Sequence, residues 1–318
     1  MLNGSRIGLA LGSGSARGWS HIGVIEALSD AGIEPDIVCG TSIGSLVGAA
    51  HVAGKLTELK LWAEAVNWRE IIGMLDLRLM KGGLFDGKQI VGFLRHHKIS
   101  GPIEDFPIPF AAMATDLMTG EEVCLTTGPI EHAIRASIAL PGIFSPTRID
   151  NKWLLDGGLV NPVPVSACRT LGADIVIAVN LNDDRVGQRG RVTAPANRSG
   201  GGRNLRQDLL EQIKKKLPVA FQRQAELIAP RLLQDNPASP GYFDVLANSI
   251  YIMQDQITRS RLIAEKPRII LTPNLGDIGL LEFYRAKEAI AEGRACVERA
   301  LPEILANIQP RIEAGPVP

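Results

Sequence analysis

Apolar residues in this chain follow two patterns: short uninterrupted runs that end near glycine, and longer stretches with an apolar residue every three or four positions. The first pattern predicts buried strands and the second amphipathic helices. Arg6–Leu11 is a short run, and Ala16–Ala31 follows it with Ile22, Ile25, Ala27 and Leu28 at helical spacing. The unit repeats at once, with Asp36–Gly40 as strand and Ile43–Ala53 as a helix of small residues. Strand–helix repetition of this kind implies parallel strands joined by crossovers. Further helices are expected over Leu56–Leu75 and Lys88–His97. Phe110–Leu125 reads as two strands joined by Met118, Thr119 and Gly120, a hairpin. A helix over Ile130–Leu140 should stop before Pro141, and Lys152–Leu155 and Asp174–Asn180 read as strands. From Asp183 to Asn204 the chain turns to Gly, Arg, Ser, Asn and Pro without periodicity, which predicts a flexible linker. Helices over Leu205–Ala229, Phe243–Ala264 and Glu282–Ile308 and a short strand over Arg268–Leu271 complete the reading. The whole predicts a three-layer α/β fold, a mainly parallel central sheet flanked by helices with a helical C-terminal extension. Its ligands should gather at the carboxyl edge of the strands.

Composition narrows the function. Lys and Arg number 34 against 34 Asp and Glu, so the basic excess of a nucleic-acid binder is missing. Hydrophobic residues at 45% and charged residues at 21% match a globular protein rather than a disordered or coiled-coil one. Met1–Gly8 carries one Arg and then runs into a short apolar stretch too brief and too glycine-rich for a secretion signal. The uncharged run Ile37–Gly54 has the length of a membrane span, but four glycines, two serines, a threonine and a histidine mark it as strand, turn and helix. Cys39, Cys124, Cys168 and Cys296 are widely spaced without a CxxC pair, which points away from zinc and disulfides and toward a cytoplasmic location.

Three segments carry candidate chemistry. Gly40-Thr41-Ser42-Ile43-Gly44 sits where strand gives way to helix, the setting of a nucleophile elbow, with Gly40 and Gly44 lacking the Cβ atoms that would collide there. The plainer alternative is that Ser42 caps the helix. Gly12-Ser13-Gly14-Ser15-Ala16-Arg17-Gly18 also joins a strand to a helix, and its amides suit an oxyanion. That loop reads equally as a dinucleotide loop of an NADP-binding oxidoreductase, with Asp36 as the ribose acid, although GxGxxxG replaces GxGxxG and Arg17 stands at the third glycine. Asp156-Gly157-Gly158 follows the strand Trp153-Leu154-Leu155, placing an acid before two residues that allow close approach, so Asp156 is positioned to reach Ser42. A dinucleotide protein has no use for this third element.

The ordered motifs GSGSARG, GTSIG and DGG resemble those of the patatin-like phospholipase family. The wider strings LALGSGSARGWSHIGVIEAL and DGGLVNPVPV look like its bacterial members, and PNLGDIGLLEFYRAKEAI extends the similarity weakly. The resemblance covers residues 5–182 as a catalytic core, leaving 183–204 as linker and 205–318 as a mostly helical region packing on or extending that core. It implies a lipid acyl ester hydrolase of phospholipase or lysophospholipase type, with neither cofactor nor metal. Ser42 would be nucleophile and Asp156 base, with the oxyanion hole formed by Gly12, Ser13, Gly14, Ser15, Arg17 and Gly18, chiefly the amides around Gly14 and Ser15. Ser13 and Ser15 depart from the family's glycines, and a serine resists positive φ. A silent relative acting as a regulatory partner is the other reading the resemblance leaves open.

An aspartate with an ordinary pKa of about 3.9 is a feeble base, so the dyad needs a poorly solvated pocket. None of His21, His51, His96, His97 and His132 has the placement a triad requires, and His21 is expected to satisfy a local hydrogen bond. Lys214, Lys215 and Lys216 precede Leu217-Pro218-Val219-Ala220-Phe221, a basic and apolar pairing that suits contact with the inner face of a membrane. The expected partners are thus a lipid or acyl ester substrate, a membrane surface and a second copy of the chain, and not nucleic acid.

Overall fold

A computed structural model describes residues 5–67, 70, 86–182, 242–279 and 282–308. Strands β1 (Ile7–Leu11), β2 (Ile37–Thr41) and β3 (Phe110–Asp116) are buried at every position, as parallel strands covered on both faces must be. They pair in parallel, and β7 (Ile175–Val179) and β8 (Ile269–Leu271) extend the other edge in parallel. Two strands run the other way, β4 (Glu122–Leu125) and β6 (Lys152–Asp156), both antiparallel to β3, and β5 (Thr147–Ile149) pairs antiparallel with β6. The hydrogen-bonded order is β5-β6-β3-β2-β1-β7-β8, with β4 also paired to β3.

Successive side chains of a strand point to opposite faces, so each parallel strand serves two cores. Leu9 and Leu11 join one large cluster with helices α1 (Ser20–Asp30), α2 (Ile43–Val52) and α3 (Leu56–Ala65), while Ala10 joins a smaller one on the other face with Cys39, Ala111, Ala178 and Cys168. The small residues let the short helix α6 (Val165–Thr170) sit close to the sheet, after α4 (Lys88–His96) and α5 (Ile130–Ser137) in chain order. Helix α7 (Tyr242–Glu265) follows, and α8 (Ala286–Ile308) packs along α1. A Cβ on Gly293 of α8 would strike the Ser20 carbonyl, and one on Gly23 of α1 would strike that of Ile290, so this pair depends on bare backbone at both contact points. The three-layer α/β architecture and the helical C-terminal part agree with the sequence pattern.

Local differences have local causes. The first helix opens with a 3-10 turn over Ser15–Trp19. Helix α3 stops at Ala65 because Val66 turns extended (φ −61°, ψ 131°), well short of Leu75. Strand β5 went unforeseen: Asp150 and Asn151, both at positive φ (46° and 65°), make the two-residue turn that pairs it with β6. The linker over 183–204, the helix over 205–229 and Lys214–Lys216 lie outside the described residues.

Candidate active site

Ser42 stands between the end of β2 and the start of α2 with φ 56° and ψ −124°, a conformation that costs a non-glycine residue about 1–3 kcal/mol unless its surroundings impose it. They do. Its amide donates to Ser137 Oγ (2.9 Å), its carbonyl accepts from Ser45 Oγ (2.6 Å) and from the Ser45 amide (2.9 Å), and Thr41 Oγ1 is tied to the Asn161 carbonyl (2.8 Å). A Cβ on Gly40 would run into the Gly44 backbone, and one on Gly44 into the Leu11 carbonyl, so the tight strand-to-helix packing requires both glycines. The Ser42 side chain makes no capping bond to α2, which removes the capping alternative. Its hydroxyl donates instead to Asp156 Oδ2 at 2.6 Å.

Register explains how two residues 114 positions apart meet. Thr41 pairs with Met113 and Asp156 pairs with Ala114, so adjacent residues of β3 hold the last residue of β2 and the last residue of β6. The Asp156 backbone is fixed by its amide on the Ala139 carbonyl (3.0 Å) and by Thr115 Oγ1 on its carbonyl (2.9 Å). Its second carboxylate oxygen accepts from the Gly158 amide (2.7 Å). A Cβ on Gly157 would strike the Met113 carbonyl, and one on Gly158 the Gln254 side chain. Asp156 is 1% exposed, and burial pushes its carboxyl from an ordinary 3.8 up to about 6, against the hydrogen bonds from Ser42 and Gly158 that pull it down.

The glycine-rich loop divides by role. The Gly12 amide is spent on the Val179 carbonyl (3.1 Å), the Ser13 amide on Pro162 (2.8 Å) and the Arg17 amide on Gly14 (3.2 Å), which removes these three from the expected oxyanion donors. Gly14 and Ser15 line the cleft beside Ser42. Ser15 adopts φ 49° despite being serine. Gly18 is steric in function, since a Cβ there would overlap Ile43. Arg17 is fully buried, its Nη1 donating to the Leu181 carbonyl (2.8 Å) and its guanidinium 4.9 Å from the Tyr251 ring centre. His21 sits under the loop with Nε2 donating to the Gly12 carbonyl (2.8 Å); burial lowers its pKa to about 4, so it is neutral. None of the five histidines lines the cleft. Asp36 lies ahead of β2, at the opposite end of that strand from Ser42, with its carboxylate accepting from the Ile7 amide (2.7 Å). It therefore stands too far from the loop for a nucleotide's ribose.

The sequence did not single out Ser137, Thr115, Leu140, Ile250, Tyr251 or Gln254. The last three come from α7, which lies over the cleft; Gln254 Oε1 accepts from Ser13 Oγ at 3.3 Å. The free space beside Ser42 is about 10 Å³, room for roughly one water. Ser42 to Asp156 to buried main-chain support is an arrangement that can activate a hydroxyl and hold the charge it creates.

Residues 9–169 match the family model described as patatin-like phospholipase. An uncharacterized NTE family protein of Mycobacterium tuberculosis (strain ATCC 25618 / H37Rv) is 36% identical over 93% of this chain and 91% of its own length. Patatin-like phospholipase domain-containing protein 7 of Mus musculus is 32% identical over 57% of this chain, which spans 14% of the mouse protein. Among solved structures, VipD from Legionella pneumophila aligns with a TM-score of 0.45 at 12% identity, over 94% of this chain and 67% of that one. With half its length under that family model and most of it aligned with the mycobacterial relative, the chain belongs to the patatin-like phospholipase family.

Proposed function

We propose that the protein hydrolyses carboxylic esters of lipids, as a phospholipase or lysophospholipase, through an acyl-enzyme on Ser42 with Asp156 as the base. The observation that carries this reading is the 2.6 Å hydrogen bond from the Ser42 hydroxyl to a buried carboxylate. Ser42 Oγ attacks the ester carbonyl while its proton passes to Asp156 Oδ2. The negative charge that develops on the carbonyl oxygen is received by the main-chain N–H groups at Gly14 and Ser15, beside the positive end of α2. Collapse of this intermediate breaks the ester C–O bond, and the alcohol leaves with the proton from Asp156. Water then attacks the acyl-enzyme and gives its proton to Asp156; as the acyl C–Oγ bond breaks, Asp156 returns that proton to Ser42 Oγ and the fatty acid is released.

A buried carboxylate with a pKa near 6 is about a hundredfold more basic than a solvated one, which narrows the gap to a serine hydroxyl. A small fluorophosphonate is expected to add once per chain, at Ser42 by peptide mass spectrometry. Ser42→Ala should abolish the adduct, and Asp156→Asn should slow it by about a hundredfold or more. Absence of an adduct, or an adduct that survives Ser42→Ala, rejects the nucleophile and leaves the silent-relative reading in its place.

A further inference from the structure

The hairpin beside the cleft carries the least expected surface of the described chain. Leu117, Met118 and Trp153 are 46%, 79% and 45% exposed, and they adjoin because the Leu117 amide donates to the Trp153 carbonyl at 2.7 Å. Trp153 lies three residues along β6 from Asp156, about 10 Å at strand spacing, so the patch lies beyond the carboxyl edge of β3, the edge at which Ser42 and Asp156 meet. Over the cleft itself, the first half of α7 turns Ile250 and Gln254 inward and leaves Val245, Ile252 and Met253 exposed on its outer side. Two elements distant in sequence thus present exposed apolar side chains, one beyond the carboxyl edge of β3 and the other on the helix that lines the cleft. An exposed tryptophan, with Arg148 at 5.9 Å from its ring, is suited to the boundary between apolar and polar phases.

Charge around the patch is balanced and partly paired. Lys152 faces Asp116 (3.9 Å) and Arg261 faces Glu122 (3.1 Å), while Arg148 Nη2 donates to Asn151 Oδ1 (3.0 Å). Such a surface has nothing to gain from an anionic partner. We propose that this surface docks onto an electrically neutral, zwitterionic lipid surface, with Leu117, Met118 and Trp153 entering it and the outer side of α7 lying against it. The assignment rests on the ester-hydrolase reading, because α7, which forms part of this surface, lines the cleft beside Ser42.

The two readings separate experimentally. The full-length protein is mixed with vesicles of ether-linked phosphatidylcholine, which offers no ester to cleave, and binding is followed by sedimentation alongside labelling of Ser42 by a small fluorophosphonate. The wild type is expected to bind, with little change between low and high salt, and Met118→Ser/Trp153→Ser to bind at least tenfold more weakly while labelling at the wild-type rate. Met118→Leu/Trp153→Phe should restore binding. If the double serine variant labels poorly, Met118→Ser alone, at an exposed turn, makes the same comparison. Several results overturn the docking surface while leaving Ser42 chemistry intact: labelling without vesicle binding, binding unchanged in the serine variants, or binding confined to phosphatidylglycerol vesicles and lost in salt. Dimerisation that the serine substitutions abolish would assign the patch to a second copy of the chain and overturn it equally. Loss of labelling in the wild type, by contrast, strikes the ester-hydrolase reading.

Discussion

Asp156 is where chemistry and stability oppose each other. Its folded pKa, about 6, lies above the ordinary 3.8, so the protonated carboxyl is the form the buried site prefers. The contribution to stability is therefore full below pH 4 and is lost as pH rises through 6, by up to about 3 kcal/mol for a shift of this size. The proposed mechanism needs the other form. Turnover of a soluble short-chain ester should climb tenfold per pH unit below about 6 and level off above it, which a kcat/KM profile measures; a flat profile from pH 4 to 8 would deny Asp156 the role of base. Asp156→Asn keeps the shape, with an oxygen for the Gly158 amide, and removes the buried charge. It should be inactive yet more resistant to urea than the wild type at pH 8, with the difference gone at pH 4, and a variant less stable at both values would contradict the account. Ser42 and Asp156 could be read from sequence because their residue types sit in strings whose glycines announce close backbone approach. Ser137, Thr115 and Ala139, which hold them in place, could not, because a serine, a threonine or a carbonyl donating or accepting across the sheet leaves no local pattern.

At the level of elements, alternation of apolar runs and helical spacing disclosed β1, α1, β2, α2 and the β3–β4 hairpin, where burial dictates composition residue by residue. It failed at β5, whose signal was the pair Asp150-Asn151 between Ile149 and Lys152, a turn sequence too short to stand out from loop. The placement of α7 was also hidden. Its spacing shows a helix, but only tertiary structure shows that Ile250, Tyr251 and Gln254 line the narrow cleft beside Ser42. The second half of α7 is anchored by Arg261 to the Val160 carbonyl (3.3 Å) and Ser166 Oγ (2.9 Å), and by Glu265 on the Ser166 amide (3.1 Å). The first half meets the loop through the Ser13–Gln254 hydrogen bond and the Arg17–Tyr251 ring contact. On the proposed function, an acyl chain enters by displacing the first half while the second stays. Gln254→Ala removes one tie, worth about 0.5–1.5 kcal/mol. It should raise the labelling rate of Ser42 by a long-chain fluorophosphonate about two- to tenfold over its effect on a methyl one. An unchanged ratio would mean that α7 already admits the chain without moving.

For the whole molecule, the C-terminal third is where a sequence reading most understates the structure. A mostly helical region with one short strand over Arg268–Leu271, packing on or extending the core, is the expectation from its spacing; that strand is β8, which continues the parallel sheet beside β7, and Leu271, Leu275, Ala289, Ile290, Val297 and Ile304 lie in the same apolar cluster as Leu9 and Leu11. Local periodicity cannot reveal that α8 covers the face left by α1, because the evidence is two glycines, Gly23 and Gly293, that look like defects in their own helices. Each costs its helix up to about 1 kcal/mol relative to alanine, and the close approach of backbones across α1 and α8 is what offsets it. Gly293→Ala tests this at the point of contact. The new methyl would enter the Ser20 carbonyl, and since overpacking of this kind costs about 1–3 kcal/mol, unfolding should move to lower urea despite the gain in helix propensity. If residues 5–182 and 242–308 share one core, the loss of Ser42 labelling and the loss of helical circular dichroism should fall together at the same, lowered midpoint. Labelling that outlasts the circular dichroism change, or a variant more stable than the wild type, would mean that the dyad stands on the first 182 residues alone.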